Sequence, residues 1–204
     1  MTMASRSAKI IAYTIGVFLL SSVGAVMCYR FLPVRTTALM LIRQAEARGA
    51  GERLAIRRQW VPLEDVSANM VVSVVNSEDA HFYEHRGFDM DAIANAYRIN
   101  RAYGQVVMGG STISQQTAKN VFCTPSRTYS RKVIEAYFTV LIEFLWGKDR
   151  IMEVYLNVIE WGNGVFGVEA ASEYYFGHSA RYLTEEEVKY LTRLIPNPRG
   201  YLAD

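Results

Sequence analysis

The sequence predicts an all-α or nearly all-α domain behind a single N-terminal transmembrane helix. Three observations carry that reading. The run "IIAYTIGVFLLSSVGAVMC", Ile10 to Cys28, holds no charged side chain. Later stretches repeat apolar residues at three- and four-residue intervals, the period of an amphipathic helix. Strand-type alternation is scarce. Half of the 204 residues are hydrophobic, enough to fill the core of one main domain. The net charge of +2 gives no whole-chain reason to expect a nucleic acid as partner. Cys28 lies inside the apolar run, so Cys28 and Cys123 do not read as a disulfide framework.

The apolar run comes first. About 19 residues rising 1.5 Å each cover the ~30 Å hydrocarbon core of a bilayer. A charge near its centre would cost about 2.5–3.5 kcal/mol on the insertion scale, so its uncharged character is informative. A cleaved signal peptide is the rival, but the run exceeds an ordinary signal core and is followed by poor cleavage signals. The expected organisation is a cytoplasmic tail over 1–9, an anchor over 10–28, a polar and basic juxtamembrane connector over 29–59, partly helical, and a globular domain over 60–204. Arg6 and Lys9 precede the span and Arg30 and Arg35 follow it, so charge bias is weak. The expected orientation puts the N-terminus inside and the domain outside.

Within the domain, Ser67 is placed to cap a helix whose apolar positions include Met70, Val71, Val74 and Val75, and which runs into Glu78. "MDAIANAYRINRAYG" reads as a second helix, and "GGSTISQQTAKNVF" as a Gly-Ser-Thr entry to a third. Arg131 to Trp146 shows a wide apolar face of Val133, Ile134, Tyr137, Phe138, Leu141, Phe144 and Leu145. Arg131, Lys132, Glu135, Thr139 and Glu143 fall opposite. "KDRIMEVYLNVIEW" is a further helix. Thr184 and Glu187 have capping-box spacing for a last one, which stops at "PNP".

Three constellations compete for function. "HFYEH" matches H-x-x-E-H at His81, Glu84 and His85, a zinc signature that needs a third ligand; the bland reading is a hydrogen-bonded histidine pair. "GNGVFG", Gly162 to Gly167, matches G-x-G-x-x-G, but a helix-like stretch precedes it where a dinucleotide fold needs a strand. The expectation there is a Gly-rich loop between helices. The third constellation is spread along the chain. Glu78 ends one helix and Glu135 sits on the polar face of another. Between and around them lie Gly110 to Gln116, Lys119, Arg127, Arg131 and Lys132. Two carboxylates and several cations suit sugar transfer from a phosphate leaving group, one carboxylate as base and the cations on the diphosphate. Against this stands an ordinary surface pair of Arg131 with Glu135, worth about 0.2–0.5 kcal/mol.

The order of motifs resembles a known family. "EDAHFYEHRGFD", "GGSTISQQTAKN", "RKVIE", "RIMEVYLNVIEWGNGVFGVEAASEYYFG" and "LTEEEVKYLTRLIPNP" are similar, in sequence order, to the five motifs of the peptidoglycan glycosyltransferases, glycosyltransferase family 51. The resemblance implies a lysozyme-like, two-lobed helical domain that polymerises lipid II into β-1,4-linked glycan and releases undecaprenyl diphosphate. It implies a bacterial cytoplasmic (inner) membrane location with the catalytic domain on the outer face. Glu78 then matches the catalytic base and Glu135 the second essential carboxylate, near the donor diphosphate. Lys119, Arg127 and Arg131 match positions that hold phosphate or support the site. Ser111, Gln115 and Gln116 match polar residues lining the cleft. His85 and Gly87 shape the first-motif turn, with His81 incidental.

No metal site is expected in the protein itself, and a divalent cation, magnesium or manganese, is left as an option at the diphosphate. Expected partners are lipid II, the growing glycan strand and membrane lipid, with cell-wall synthesis or division proteins as further candidates. Family members continue some tens of residues past "PNP", so a shortened C-terminus is the expectation for a chain ending at Asp204. Two alternatives stay open: a lysozyme-like or lytic enzyme that cleaves glycan, which paired carboxylates alone permit, and an inactive membrane-anchored scaffold.

Overall fold

A computed structural model describes residues 3–126 and 128–200. The chain divides into two compact units, 1–33 and 34–204. The first is one helix, α1 (Met3–Phe31). Its stretch from Lys9 to Phe31 is long and apolar enough to cross a membrane. Tyr13, Val17 and Leu20 are exposed along it, as suits a helix solvated by lipid rather than packed in a core.

The second unit is helical with a small sheet. It runs through α2 (Ala38–Gly49), β1 (Arg57–Arg58), α3 (Ala68–Glu78), α4 (Met90–Tyr103), α5 (Ile113–Phe122), α6 (Tyr129–Leu145) and α7 (Lys148–Val158). It closes with β2 (Glu160–Gly162), β3 (Val165–Phe166), α8 (Val168–Phe176) and α9 (Glu185–Leu194). The helical expectation holds. Two local readings need correction. The stretch 29–59 is not merely a connector: α2 packs on α5, and β1 joins the sheet of the same unit. Residues 162–167 do not form a plain loop between helices. They lie in a β2–β3 hairpin, with β1 parallel to β3 through Arg57–Val165 and Arg58–Phe166.

The core is built around α7. Ile151, Met152, Val154, Tyr155, Leu156 and Val158 are all buried, so this helix is covered on nearly every side. A helix apolar all round is stable only inside a core. Asn157 near its end ties in the segment before α3. Its Oδ1 accepts from Val61 N at 3.0 Å and its Nδ2 donates to Val61 O at 2.8 Å, imitating a strand pair. Gly167 lies so close that a Cβ there would stand 2.9 Å from Asn157 O.

Caps set the ends. Thr184 and Glu187 form the expected capping box of α9, and Thr112 and Gln115 form another on α5. Ser67 occupies the cap position of α3, but its side chain makes no cap bond. Its backbone instead donates to Ala180 O at 3.0 Å.

Candidate functional site

The site grows from the end of α3. Glu78 is its last residue, and the next, Asp79, turns out of the helix at φ −165°. Asp79 is buried and accepts from two donors. His85 Nε2 lies 2.9 and 3.0 Å from its two oxygens, and Ile113 N donates to Oδ2 at 2.9 Å. Ile113 is the first residue of α5, so this carboxylate satisfies an orphan donor at a helix N-terminus. A second tie runs beside it: Thr112 Oγ1 donates to Gly87 O at 2.7 Å. Gly87 itself has φ 92°, and a Cβ there would meet Thr139 Cγ2 at 2.9 Å. The first-motif turn therefore needs glycine on two counts and is locked to both α5 and α6.

The histidines take carboxylate partners. His81 Nδ1 is 2.9 Å from Asp89, which raises the imidazole above its ordinary value. Asp89 also caps α4 through Ala92 N, and that backbone bond is the main cause of its lowered value. His178 is bonded to Glu187. Among the described residues no three His, Cys, Asp or Glu side chains are grouped to hold a metal ion.

Two cavities open at this junction. One, of about 480 Å³, is lined by Glu78, Asp79, His81, Asp89, Asp91 and Arg98, and along its far side by Met108 to Thr112. The other, of about 440 Å³, is lined by Arg43, Lys119, Arg131, Glu160, Gln116 and Cys123, together with Pro196 and Pro198 of the "PNP" segment. Gln116 joins them. It lines the second cavity, and its Nε2 donates to Glu78 Oε2 at 2.9 Å in the first. Tyr155 OH points at Gln116 Oε1, 3.4 Å away. Burial pushes the Tyr155 phenol well above its ordinary value, so it stays a donor and fixes which way the amide faces.

The second cavity is cationic and its donors are not all spent. Burial pushes the Lys119 ammonium down, and the charge of Glu135 works against that shift. Lys119 Nζ makes no hydrogen bond to a described residue, and Arg131 Nε is buried without a partner. Glu135 is buried and takes bonds from Arg131 and Lys132 on its two oxygens. It is thus no surface pair, although i,i+4 spacing alone permits that reading. Burial keeps the Cys123 thiol neutral by raising it.

The expected site residues separate as follows. Glu78 and Ser111 line the first cavity; Gln116, Lys119 and Arg131 line the second; Glu135 stands behind Arg131 and Lys132. Gln115 does not line either cavity. Its side-chain oxygen accepts from Thr112 N at 3.0 Å, so its amide is used in the α5 capping box. Arg127 lies outside the described residues.

Sequence reasoning missed Arg43, Asp79 and Tyr155. Arg43 reaches Glu160 with Nε and Nη2 at 3.0 Å, across 117 positions, and no local pattern signals that. Asp79 stands in the quoted acidic stretch, and its position next to Glu78 was the available clue. Tyr155 lies in the buried core of α7, and nothing local in the sequence sets it apart there.

Gln116 thus bridges a carboxylate-lined cavity and a cation-lined one, an arrangement that suits group transfer. The model of the Transglycosylase family matches residues 47–204, and the chain belongs to that family. A biosynthetic peptidoglycan transglycosylase of Bdellovibrio bacteriovorus is 48% identical over 196 residues, 96% of this chain and 78% of that protein. One of Caulobacter vibrioides is 51% identical over 86% of this chain and 74% of its own length. One of Dechloromonas aromatica is 47% identical over 92% and 82%.

Proposed function

We propose that the chain is a peptidoglycan glycosyltransferase that polymerises lipid II into β-1,4-linked glycan. The observation that carries the reading is the pair of unspent donors, Lys119 Nζ and Arg131 Nε, in a cavity coupled through Gln116 to Glu78. A dianionic donor suits the cationic cavity, with three cations against one carboxylate. An uncharged sugar suits the acidic one, where four carboxylates would repel a diphosphate.

In this reading Glu78 takes the proton from the 4-hydroxyl of the acceptor GlcNAc. Gln116 orients the carboxylate through Oε2, and Oε1 has no partner among the described residues. The freed oxygen attacks C1 of the donor MurNAc. The bond from C1 to the diphosphate oxygen breaks, its electron pair leaves with undecaprenyl diphosphate, and the anomeric centre inverts from α to β. Base catalysis of this kind contributes typically about 10²–10⁴-fold. Lys119 and Arg131 stabilise the charge that grows on the leaving group. Glu135 holds Arg131 and Lys132 in place and keeps their charge compensated. Glu135, with both oxygens engaged by protein cations, offers no free ligand to a divalent cation at the diphosphate. Glycan cleavage is the poorer reading, because it leaves the cationic cavity without an anion.

The same reading puts α1 in the cytoplasmic membrane with the N-terminus inside and the domain on the outer face, where lipid II is presented. Proteins of cell-wall synthesis or division are the natural neighbours there. The deciding experiment incubates the purified full chain with lipid II in detergent and resolves products on a gel. A glycan ladder is expected; folded protein that makes none removes the proposal. A reporter active only after export, fused at the C-terminus, should be active, and a cytoplasmic signal would remove access to lipid II.

A further inference from the structure

The segment between α4 and α5 has almost no backbone support of its own. α4 ends at Gly104, left-handed at φ 65°. Among the described residues, none of the backbone–backbone hydrogen bonds outside helices and strands involves residues 104–111. One side chain supplies what the backbone lacks. Asn100 Oδ1 accepts from Val107 N at 2.8 Å and from Met108 N at 2.9 Å, and its Nδ2 donates to Met108 O at 2.8 Å. A carboxamide offers two lone pairs and two donors, and three of the four are used here. The flipped amide would aim its NH₂ at two N–H groups, so the orientation is set by the network.

The strap thus held continues directly into the first cavity. Met108, Gly109, Gly110 and Ser111 line the wall that shares this cavity with Glu78. Its end is pinned by contact: a Cβ on Gly110 would stand 3.1 Å from Ile93 Cα and 3.3 Å from Ala96 Cβ, both on α4. Both anchors are therefore on one helix. That helix is itself tied beside Glu78 through Asp89, which caps it and bonds His81. Of α4 only Ala96 is buried, so the helix contributes little to the core. What its polar face holds is the strap.

We infer that Asn100 is a positioning residue for the transfer reaction. It fixes the Val107–Gly110 strap as the wall of the acceptor cavity and so sets how the acceptor hydroxyl meets Glu78. The inference rests on the proposed reaction. It assigns work to a side chain that touches neither reacting sugar.

The test compares the full chain with its Asn100→Ala, Asn100→Asp and Tyr97→Ala variants, the last an exposed α4 control. Three quantities are read: lipid II polymerisation against substrate concentration, limited proteolysis within 104–110, and the melting temperature. Asn100→Ala should cut kcat/KM on the order of tenfold or more, carried mainly by KM, because a misplaced wall costs orientation. Strap cleavage should rise several-fold, since cleavage follows the population of the opened segment. Melting should stay near wild type. Asn100→Asp keeps the acceptor for two N–H groups but loses the donor to Met108, so it should fall between. Asn100→Ala with faster strap cleavage and wild-type kcat/KM overturns the inference while leaving the reaction standing. So does a loss of activity that matches the loss of folded protein, or that Tyr97→Ala reproduces. A wild-type chain that makes no polymer overturns the reaction and the role with it.

Discussion

The two cavities that meet at Gln116 are nearly equal in volume, about 480 and 440 Å³, and opposite in chemistry. In the acidic one, Asp79 and Asp89 are already committed to His85, His81 and backbone N–H groups. They hold the loop; among the described residues Glu78 keeps one oxygen unengaged beside Gln116, and Asp91, in the first turn of α4, makes no side-chain hydrogen bond. In the cationic one, Arg43 is committed to Glu160 and Glu46, while Lys119 and Arg131 keep a donor unspent. The difference teaches that a polar group's role follows from what it still lacks. Groups with full complements hold structure, and groups left short at a cavity wall are free to take a ligand.

The largest effect expected on this contrast is at Glu78. Glu78→Gln keeps a partner for Gln116 and should leave the fold intact while polymerisation falls by about 10²–10⁴-fold. Circular dichroism and the gel assay check the two halves. A variant retaining more than a tenth of the rate would mean that another group is the base and that the acidic cavity has been misread.

The cationic side is tested next. Lys119→Ala should cost about 1.5–3 kcal/mol in donor use, the scale of a charged hydrogen bond, or roughly 10- to 150-fold. The pH profile sharpens this. A lysine is charged below its pKa, and burial lowers that of Lys119. Donor affinity should therefore be present at neutral pH and be lost as pH rises, at a lower pH than an ordinary lysine would give. Lys119→Arg should move that alkaline limb upward. An unchanged limb in Lys119→Arg assigns the titration to a different group.

Gln115 and Gln116 are neighbours with opposite fates, so Gln115→Ala is the sharper control. It removes half of a capping box and should cost roughly 1 kcal/mol of stability, seen in the melting temperature, with kcat/KM per folded molecule preserved. A selective loss of kcat/KM would restore Gln115 to the cleft.

The smallest effect belongs to His81. His81→Ala should polymerise lipid II almost as wild type and carry no stoichiometric zinc by metal analysis. Its raised value means that its bond to Asp89 adds stability below the imidazole range, lost as pH rises through it. Asp89, lowered in turn, gives its share above the carboxylate range, lost as pH falls. The variant and wild type should differ in melting only between those ranges. A rate that collapses with His81 would reopen the metal reading.

Two helices show how far pattern reading reaches. On α9 the periodic apolar residues Val188, Leu191 and Leu194 are buried and the capping box forms as spaced. On α6 the same reasoning is half right. Phe138 is buried as read, but so are Glu135 and Thr139 from the side read as polar, while Val133, Ile134 and Phe144 of the expected apolar face are exposed. The polar side of α6 faces α5, where Ser114 Oγ donates to Glu143 Oε1 and Phe122 stacks on Phe138 with ring centroids 4.3 Å apart, while Glu135 pairs along its own helix with Arg131 and Lys132. Period-based reading assumes that polar means solvated, and a functional face breaks that assumption.

By itself the sequence determined the elements whose bonds close within a few residues. These are the apolar span, most helix limits, the caps at Thr112 and Thr184, and the order of motifs that marks the family. Only the tertiary structure decided the rest: that 34–59 belongs to the domain, that Gln116 rather than Gln115 reaches Glu78 from 38 positions away, and that Asn157 ties Val61 from 96. The physical reason is range. Helix period and capping are fixed by neighbours within about four residues. A hydrogen bond across a hundred residues exists only once the core around α7 has packed and brought its two ends together.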